Sequence, residues 1–244
     1  MRRGPYTVIV RFKYNHVNIR KVIDTWKNQT IPPAEILFID NGSDNPLELN
    51  EPLCRVINID KSNSLAASTN IGVMNTNTNY FILANGDTLV NKRYASFQYI
   101  LSDEDTQVFA FCRLDMPSII DIAPEGKKGE PQVAEGVYKY TQPTMAVVIK
   151  GLNLPIPHDG AMYSKSNWLW CNEALIGYGF QDCDYFIRWQ LLGKRTVMTN
   201  ECILYHLHHE IKYVDDNRET HIELIENYKK NGIPILTEDN RCWS

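Results

Sequence analysis

The strongest constraint on the fold is an alternation of strand-like and helix-like segments over the first 90 residues. Runs of apolar and β-branched residues predict four strands, at 6–12, 35–40, 55–59 and 80–84. Apolar residues at helical spacing predict a helix over 17–26, and Ser64 is a suitable N-cap for a second helix over about 65–75. Buried strands that alternate with helices are typical of a mostly parallel sheet with helices on both faces. The sequence therefore predicts an α/β fold.

Polar residues follow the predicted strands at one end of this sheet. Asp40 ends the second strand and Asn41 follows it, and Asn85-Gly86-Asp87 follows the fourth. The carboxyl ends of parallel strands lie along one edge, where open α/β sheets bind their ligands. We therefore expect Asp40, Asn41 and Asp87 to lie on one rim.

The second half of the chain has a less regular pattern. It predicts strands at 107–112, 144–150 and 196–205, helices at 165–176, 182–192 and 217–230, and a loop at the polar stretch 124–132. Few polar linkers separate the halves, so we expect one domain over residues 1–244. Within this domain we place a nucleotide-sugar half at about 1–112, an acceptor half at about 113–210, and a C-terminal helix and tail at 211–244.

Composition disfavours several classes of protein. The 244 residues carry a formal net charge of −4, which argues against electrostatic binding of nucleic acid over a broad surface. None of the six cysteines forms a C-x-x-C pair, so we expect buried thiols in a reducing compartment. The apolar run near the start ends at Arg11, and no run approaches the length of a membrane span. These features predict a cytoplasmic protein, at most peripheral to a membrane, with no transmembrane segment.

Two acidic positions at the rim suit a phosphorylated ligand. A tight glycine turn that ends in Asp87 can present a carboxylate to a divalent cation shared with a diphosphate, because such cations prefer oxygen ligands. The alternative is an ordinary N-G-D turn. Asp40 can accept hydrogen bonds from a ribose or a base, or it can cap its own turn.

A histidine cluster and a pair of acids stand out in the second half. His206 and His208 are two residues apart after a predicted strand, so they share a face and suit manganese. Taken alone, the cluster favours the alternative of surface histidines or a pH-sensitive patch. A catalytic zinc site is disfavoured because no H-E-x-x-H occurs. Asp182 and Asp184 begin a predicted helix, where acids either stabilise the helix terminus or act as a general base.

The order of these segments resembles a known family. Along the chain they read R-F-K-Y-N, D-N-G-S-D, N-S-L-A-A-S-T-N-I-G, N-G-D, G-Y-G-F-Q-D-C-D and Y-H-L-H-H. This series resembles the GT-A fold glycosyltransferases over about residues 6–210, especially the inverting family 2 enzymes and the β-1,4-galactosyltransferase and chondroitin polymerase group. The resemblance implies a mixed, mostly parallel central sheet flanked by helices.

The resemblance also implies a role for each matching residue. It assigns donor binding to Arg11, Phe12, Asn15, Asp40, Asn70, Asn85, Gly86, Asp87 and Gly160. Asp87 matches the metal-binding acid of the D-x-D motif and would hold Mn²⁺ or Mg²⁺ with His206, or with His208 instead. Asp182 matches the general base of G-G-E-D-x-D, and Tyr178 and Gln181 would contact the acceptor.

The implied reaction is an inverting transfer of a sugar from a nucleotide-diphosphate sugar, here a UDP-sugar. The acceptor would be a hydroxyl of a glycan or a lipid-linked glycan, as in polysaccharide biosynthesis. The chain departs from the family at Asn85 and Gln181, which replace acids, and at the first loop, which lacks the usual proline. These departures keep open a sugar-nucleotide or glycan-binding protein that is weakly active or inactive. A nucleotidyltransferase or a dinucleotide-binding oxidoreductase is disfavoured, since neither G-x-G-x-x-G nor a P-loop occurs.

Overall fold

The structure is a computed structural model of the 244-residue chain. It describes residues 6–13, 18–60, 64–101, 106–116, 147–149, 158–176, 180–207, 217–234, 236 and 238–240. The predicted loop at 124–132 lies outside these residues, as do Asn15, Tyr178 and His208.

The described strands form one nine-stranded mixed sheet. The strands are β1 (Tyr6–Phe12), β2 (Glu35–Asn41), β3 (Cys54–Ile59), β4 (Tyr80–Asn85), β5 (Thr88–Val90), β6 (Thr106–Met116), β7 (Val147–Ile149), β8 (Met162–Ser164) and β9 (Arg195–Leu207). Their order is β3-β2-β1-β4-β8-β6-β9-β5, and β7 pairs with β9. Strands β3, β2, β1 and β4 are parallel, as are β6 and β9, whereas β8 runs antiparallel to both of its neighbours. Strands from both halves of the sequence thus join a single sheet.

Helices cover the sheet. They are α1 (Ile19–Lys27), α2 (Leu65–Met74), α3 (Tyr94–Leu101), α4 (Gln181–Leu191) and α5 (Arg218–Asn231), with a 3₁₀ turn at Lys165–Asn167. Ser64 caps α2 as predicted, since its side chain accepts a hydrogen bond from the amide of Ala67. None of the helices among the described residues combines the length and apolar character that crossing a bilayer requires.

Two hydrophobic cores lie on opposite faces of the sheet because the side chains of a strand alternate in direction. Val8 and Val10 of β1 pack with Trp26 of α1 in one core, and Ile9 packs with α2 in the other. The second contact is close: a Cβ atom on Gly72 would lie 2.5 Å from Cγ2 of Ile9. The two helices therefore fix β1 at the centre of the fold.

The sequence located most of these elements. The four strands of the first half, both of its predicted helices, and the helices now labelled α4 and α5 are confirmed within a few residues. Sequence patterns gave no signal for β5, α3 or β8. The four cysteines whose side chains are described are free: Cys171 and Cys202 are buried, and Cys54 and Cys183 are half-buried.

The helix predicted over 165–176 is wrong, because only Lys165–Asn167 is helical there. Trp168, Cys171 and Leu175 are buried and lie three and four residues apart, which imitates the spacing of a helix face. The backbone of Cys171 is instead bound to Asn70 of α2, whose amide group donates to its carbonyl and accepts from its N–H, both at 2.9 Å. This tertiary contact overrides the local pattern.

Candidate active site

The ends of β1, β2 and β4 lie side by side at one rim of the sheet, as the sequence predicted. Arg11 is paired with Asn85 across β1 and β4, and Phe12 is paired with Asp40 across β1 and β2. Phe12 itself is buried and packs edge-on against Phe38, with ring centroids 6.1 Å apart. Polar groups from neighbouring strands therefore lie along the rim, next to the packed rings of Phe12 and Phe38.

The Asn85-Gly86-Asp87 turn is held tightly against β1. The amide of Gly86 donates to the carbonyl of Arg11 at 3.0 Å. A Cβ atom on Gly86 would lie only 2.7 Å from Cβ of Phe12, so this position has no room for a side chain. The turn consequently places Asp87 at a fixed point beyond the end of β4.

Asp87 and His206 come together through the pairing of β5 with β9. Thr88 is opposite His206 in this antiparallel ladder, and the amide of Leu207 donates to the carbonyl of Asp87 at 2.8 Å. Oδ2 of Asp87 lies 3.5 Å from Nε2 of His206, with the side chains 14% and 19% exposed. The two side chains predicted as metal ligands are therefore neighbours that remain accessible.

This pair fits a single divalent cation. Adjacent ligands of an octahedral ion with bonds of about 2.1 Å lie about 3 Å apart, close to the observed separation of Asp87 and His206. A carboxylate with an imidazole suits Mn²⁺ well, and a carboxylate suits Mg²⁺. Among the described residues no group of three acidic, histidine or cysteine side chains could hold an ion. Oxygen atoms of water or a ligand would complete the coordination shell.

Arg11 contributes a buried positive charge beside the turn. Its guanidinium donates to Oγ1 of Thr69 and to Oδ1 of Asn85, both at 2.9 Å. Both partners are neutral, and none of the described carboxylates forms an ion pair with Arg11. The neutral side chain at Asn85 thus serves as the acceptor that orients this guanidinium.

Asp159 supports the same turn and was not anticipated from the sequence. Its buried carboxylate accepts from the amide of Asn85 at 3.1 Å and from Oγ1 of Thr88 at 2.8 Å. These two donors flank Asp87, so Asp159 holds the turn on both sides. The dipeptide Asp159-Gly160 has the composition of an ordinary turn, and no local pattern indicates that it reaches β4.

Three residues predicted to bind the donor, Asp40, Asn70 and Gly160, make contacts within the protein that have a structural role. Asp40 is 1% exposed, and its two oxygens accept from the amides of Ser43 and Leu47, both at 2.9 Å, which is the turn-capping alternative. Asn70 is fully buried and holds the segment around Cys171. Gly160 is buried at a positive φ of 76°. There its Cβ would lie 2.0 Å from the hydroxyl of Tyr94. The contacts of these residues stabilise loops around the rim.

The two acids at the start of α4 have opposite environments. The Asp182 side chain is 31% exposed, whereas Asp184 is fully buried. Oδ2 of Asp184 accepts from Nε of Arg188 at 2.9 Å and lies 2.8 Å from Nη2 of the same residue. The hydroxyl of Tyr228, from α5, donates to the other oxygen of Asp184. Asp184 therefore joins α4 to α5. Of the two acids, Asp182 is the one that a ligand can contact.

His158 lies directly behind Asp182 and was also missed by the sequence analysis. Its Nε2 is 3.7 Å from Oδ1 of Asp182, and its Nδ1 is 2.6 Å from the hydroxyl of Tyr163. Burial, with the nearby charges of Arg11 and Arg188, holds the pKa of His158 well below its usual value. A neutral imidazole therefore lies behind the half-buried carboxylate of Asp182.

The loop before α4 ends in an unusual backbone conformation. Phe180 is the only described non-glycine residue with positive φ, at 65°, and its ring stacks on His221 of α5 with centroids 4.9 Å apart. Gln181 is buried, so the acceptor contact predicted for its side chain is not supported by its position. The entry of the chain into α4 is thus fixed by packing against α5.

Comparison with known proteins agrees with this architecture. The family model described as glycosyl transferase family 2 matches residues 7–117. GalNAc-T7, solved with UDP, GalNAc and Mn²⁺, is similar in structure with a TM-score of 0.68 at 13% identity, over 99% of this chain and 55% of that one. TarS of S. aureus is similar with a TM-score of 0.63 at 15% identity, over 97% of this chain and 41% of that one. No curated protein matches the chain by sequence.

These similarities confirm the predicted fold class, an α/β fold of the GT-A type with a mixed central sheet. The chain spans about half the length of the two solved proteins. The more specific relation to the β-1,4-galactosyltransferase and chondroitin polymerase group stays a prediction.

Proposed function

We propose that this chain is an inverting glycosyltransferase that moves a sugar from a UDP-sugar to a hydroxyl of a glycan or lipid-linked glycan. The observation that carries the proposal is the accessible pair of Asp87 and His206 on the GT-A rim, with a second accessible acid, Asp182, at the start of α4. The similarity to GalNAc-T7, solved with UDP, GalNAc and Mn²⁺, supports the choice of nucleotide and ion.

On the donor side, Asp87 and His206 would hold Mn²⁺ or Mg²⁺. When bound, the ion neutralises charge that develops on the leaving diphosphate. Arg11 adds a positive charge next to the turn, and Asp159 keeps the turn in place. With the ion bound, the ion and Arg11 would together supply the positive charge that the anionic part of the donor requires.

On the acceptor side, Asp182 would act as the general base. The acceptor oxygen attacks the anomeric carbon from the face opposite the diphosphate, and the proton of that hydroxyl passes to the carboxylate of Asp182. The bond between the anomeric carbon and the diphosphate oxygen breaks, and the electron pair leaves with UDP. Attack from the opposite face inverts the anomeric configuration. Asp184 cannot serve as this base, because both of its oxygens are buried and bonded to Arg188 and Tyr228.

A second candidate function is binding without transfer. Asn85 and Gln181 stand where the resembling enzymes carry acids, and both substitutions lower the negative charge of the site. Asn85 is engaged by Arg11 and Gln181 is buried, so each has a structural use that needs no negative charge. Asp87 and Asp182, which the chemistry needs most, are present and accessible.

The test begins with a thermal-shift screen of nucleotide sugars with and without Mn²⁺, since a ligand of the native state raises apparent stability. The stabilising donor is then incubated with candidate glycan acceptors, and release of UDP is measured. We expect metal-dependent stabilisation by a UDP-sugar and acceptor-stimulated release of UDP. Stabilisation without any release, including slow hydrolysis, would favour the binding protein. Lack of stabilisation by every nucleotide sugar would refute both functions.

A further inference from the structure

We infer that His158 is a positioning residue for the general base: its Nε2–H is placed to donate to one oxygen of the Asp182 carboxylate in the reacting complex, and the hydroxyl of Tyr163 pairs with Nδ1 of the same ring. The inference rests on the proposed function, in which Asp182 accepts the proton of the acceptor. It assigns a role to a histidine that lies more than twenty residues before Asp182 and belongs to none of the sequence motifs.

The first observation is the placement of the ring between two polar partners. Nδ1 of His158 lies 2.6 Å from the hydroxyl of Tyr163, on β8, and Nε2 lies 3.7 Å from Oδ1 of Asp182, on α4. His158 is 2% exposed whereas Asp182 is 31% exposed. The histidine therefore approaches the carboxylate from the protein interior and leaves its outer side open to a substrate.

The second observation is that the ring has little freedom to turn. Aromatic rings surround His158, with centroids 4.6 Å away at Tyr185 and 5.7 Å away at both Trp168 and Tyr163. Trp168 in turn stacks on Tyr185 with centroids 4.5 Å apart. A ring packed on several sides keeps its rotamer, so the direction of Nε2 is set before any ligand arrives.

The tautomer follows from these neighbours. Burial raises the pKa of Tyr163, so its hydroxyl keeps its proton and can either donate to Nδ1 or accept from it. The carboxylate of Asp182 on the other side of the ring decides between the two tautomers. Nε2 then carries the hydrogen of the neutral imidazole and points it towards Asp182. The other tautomer would direct a lone pair at a carboxylate, which is repulsive. His158 is thus arranged to donate to the base, as in sites where a second group orients a catalytic one.

Other groups also face His158, and any pH dependence reflects all of them. The charged or titratable groups that face the His158 ring come from four parts of the fold. They are Arg11 on β1, Tyr163 on β8, Cys171 in the segment before α4, and Asp182, Asp184, Tyr185 and Arg188 on α4. The thiol of Cys171 forms a weak sulfur hydrogen bond with Nε2 at 3.9 Å, and burial raises its pKa, so it stays neutral. Asp182 is the carboxylate that lies in direct reach of Nε2.

The separation of 3.7 Å is longer than a hydrogen bond in the free protein. Catalytic contacts of this kind often tighten when the reacting complex forms. In the reacting complex the donated hydrogen would stabilise the charged carboxylate at Oδ1, and the proton of the acceptor would pass to Oδ2. Loss of this donor should both loosen the carboxylate and raise the pH at which it becomes an effective base.

Two substitutions at His158 separate this role from simple packing. The amide nitrogen of glutamine approximates Nε2, so His158→Gln keeps a donor near Asp182. Asparagine places its amide near the former Nδ1, so His158→Asn keeps a partner for Tyr163 and loses the donor to Asp182. Both variants keep a polar side chain among the aromatic residues. Because asparagine is smaller than histidine, the free energy of unfolding of each variant is measured beside kcat to separate lost packing from the lost donor.

We expect His158→Asn to lower kcat for transfer by about 10- to 100-fold with donor KM changed by less than about twofold. The acid limb of its kcat–pH profile should move up by about half a pH unit or more. His158→Gln should recover most of kcat and the wild-type profile. Equal losses in both variants with an unshifted profile would assign His158 a purely structural role. If either variant fails to fold, Tyr163→Phe, which removes the donor to Nδ1, should lower kcat by a smaller factor in the same direction.

A measurement on the wild-type protein keeps this inference separate from the proposed function. Nitrogen-15 NMR of the imidazole ring distinguishes the two neutral tautomers and the charged ring without any need for activity. We expect the neutral Nε2–H form from pH 5 to 8. The Nδ1–H form or a charged ring would overturn the inference even if transfer is observed. Absence of transfer in the wild type, with the Nε2–H form present, would instead count against the proposed function.

Discussion

The two sides of the candidate site are built in different ways. On the donor side, backbone contacts set the geometry: the amide of Gly86 binds the carbonyl of Arg11, and the ladder between β5 and β9 brings Asp87 to His206. On the acceptor side, side chains set it, because Asp182 is backed by a buried histidine in a cluster of aromatic rings. Replacing a buried side chain should therefore disturb the geometry of only a few residues on the donor side and of more residues on the acceptor side.

The largest expected effect is on chemistry at Asp182. Asp182→Asn keeps the shape of the side chain and its place in the first turn of α4 but cannot accept a proton. We expect kcat for transfer to fall by about two to four orders of magnitude. Donor affinity, measured by calorimetry with UDP and Mn²⁺, should stay within about twofold of wild type. Normal transfer by this variant would remove Asp182 from the mechanism.

The next effect is on the free energy of unfolding, and it contrasts the buried Asp184 with the half-buried Asp182. Asp184→Asn leaves the guanidinium of Arg188 buried without its ion-pair partner. Breaking such a pair costs about 3–5 kcal/mol in the free energy of unfolding, which urea denaturation can measure. Asp182→Asn should cost less than about 1 kcal/mol in the same experiment. If Asp184→Asn retained full stability and lost transfer, the roles of the two acids would be exchanged.

On the donor side, Asp87→Ala should abolish the metal-dependent part of donor binding. We expect affinity for UDP in the presence of Mn²⁺ to fall at least about 10-fold, towards the value without the ion. Asp24→Ala is the matched control, because Asp24 is an exposed acid on α1. Similar Mn²⁺-dependent affinity in both variants would exclude the N-G-D turn as the ion-binding site.

A substitution at Asp159 tests whether donor binding depends on the residue that supports the Asn85-Gly86-Asp87 turn as well as on the proposed metal ligand Asp87. Asp159→Asn weakens two hydrogen bonds, from the amide of Asn85 and from Thr88, without removing a ligand. Outer-shell partners are typically worth 10- to 100-fold in affinity, and since the backbone still holds this turn we expect a loss of about 3-fold, smaller than that of Asp87→Ala. A loss equal to that of Asp87→Ala would mean that Asp159 itself contacts the ion.

The smallest effect is a pH dependence of stability that belongs to the acceptor side. Because burial holds the pKa of His158 below 6.5, the unfolded chain binds more protons below that pH than the folded chain does. The free energy of unfolding should therefore fall as pH drops below 6.5, by up to about 1.4 kcal/mol per pH unit for this group. His221, whose pKa burial also lowers, adds to the same trend. Urea denaturation of wild type and His158→Gln between pH 7 and 5.5 should give a shallower slope for the variant.

The contrast between the two sides also explains what the sequence could predict. The rim followed from short apolar strands that end in polar residues, since parallel strands bring their carboxyl ends together. His206 was correctly placed near Asp87 through the family resemblance. His158 and Asp159 were missed because their partners depend on the pairing of β8 with β4 and on the packing of α4, both of which join distant parts of the chain. The strands β5 and β8 have three residues each, too few for a periodic signal.

The ladder between β5 and β9 has a further consequence for the order in which the protein folds. It joins segments that are more than a hundred residues apart in sequence, whereas β1, β2 and β3 pair across much shorter loops. Closing a long loop loses more chain entropy before any contact compensates for it, so such pairings tend to form late. The parallel strands of the first half can assemble early, and Asp87 meets His206 only when the far edge of the sheet is completed. If Asp87 and His206 bind a divalent cation as proposed, cation binding would report that the chain has reached its native topology.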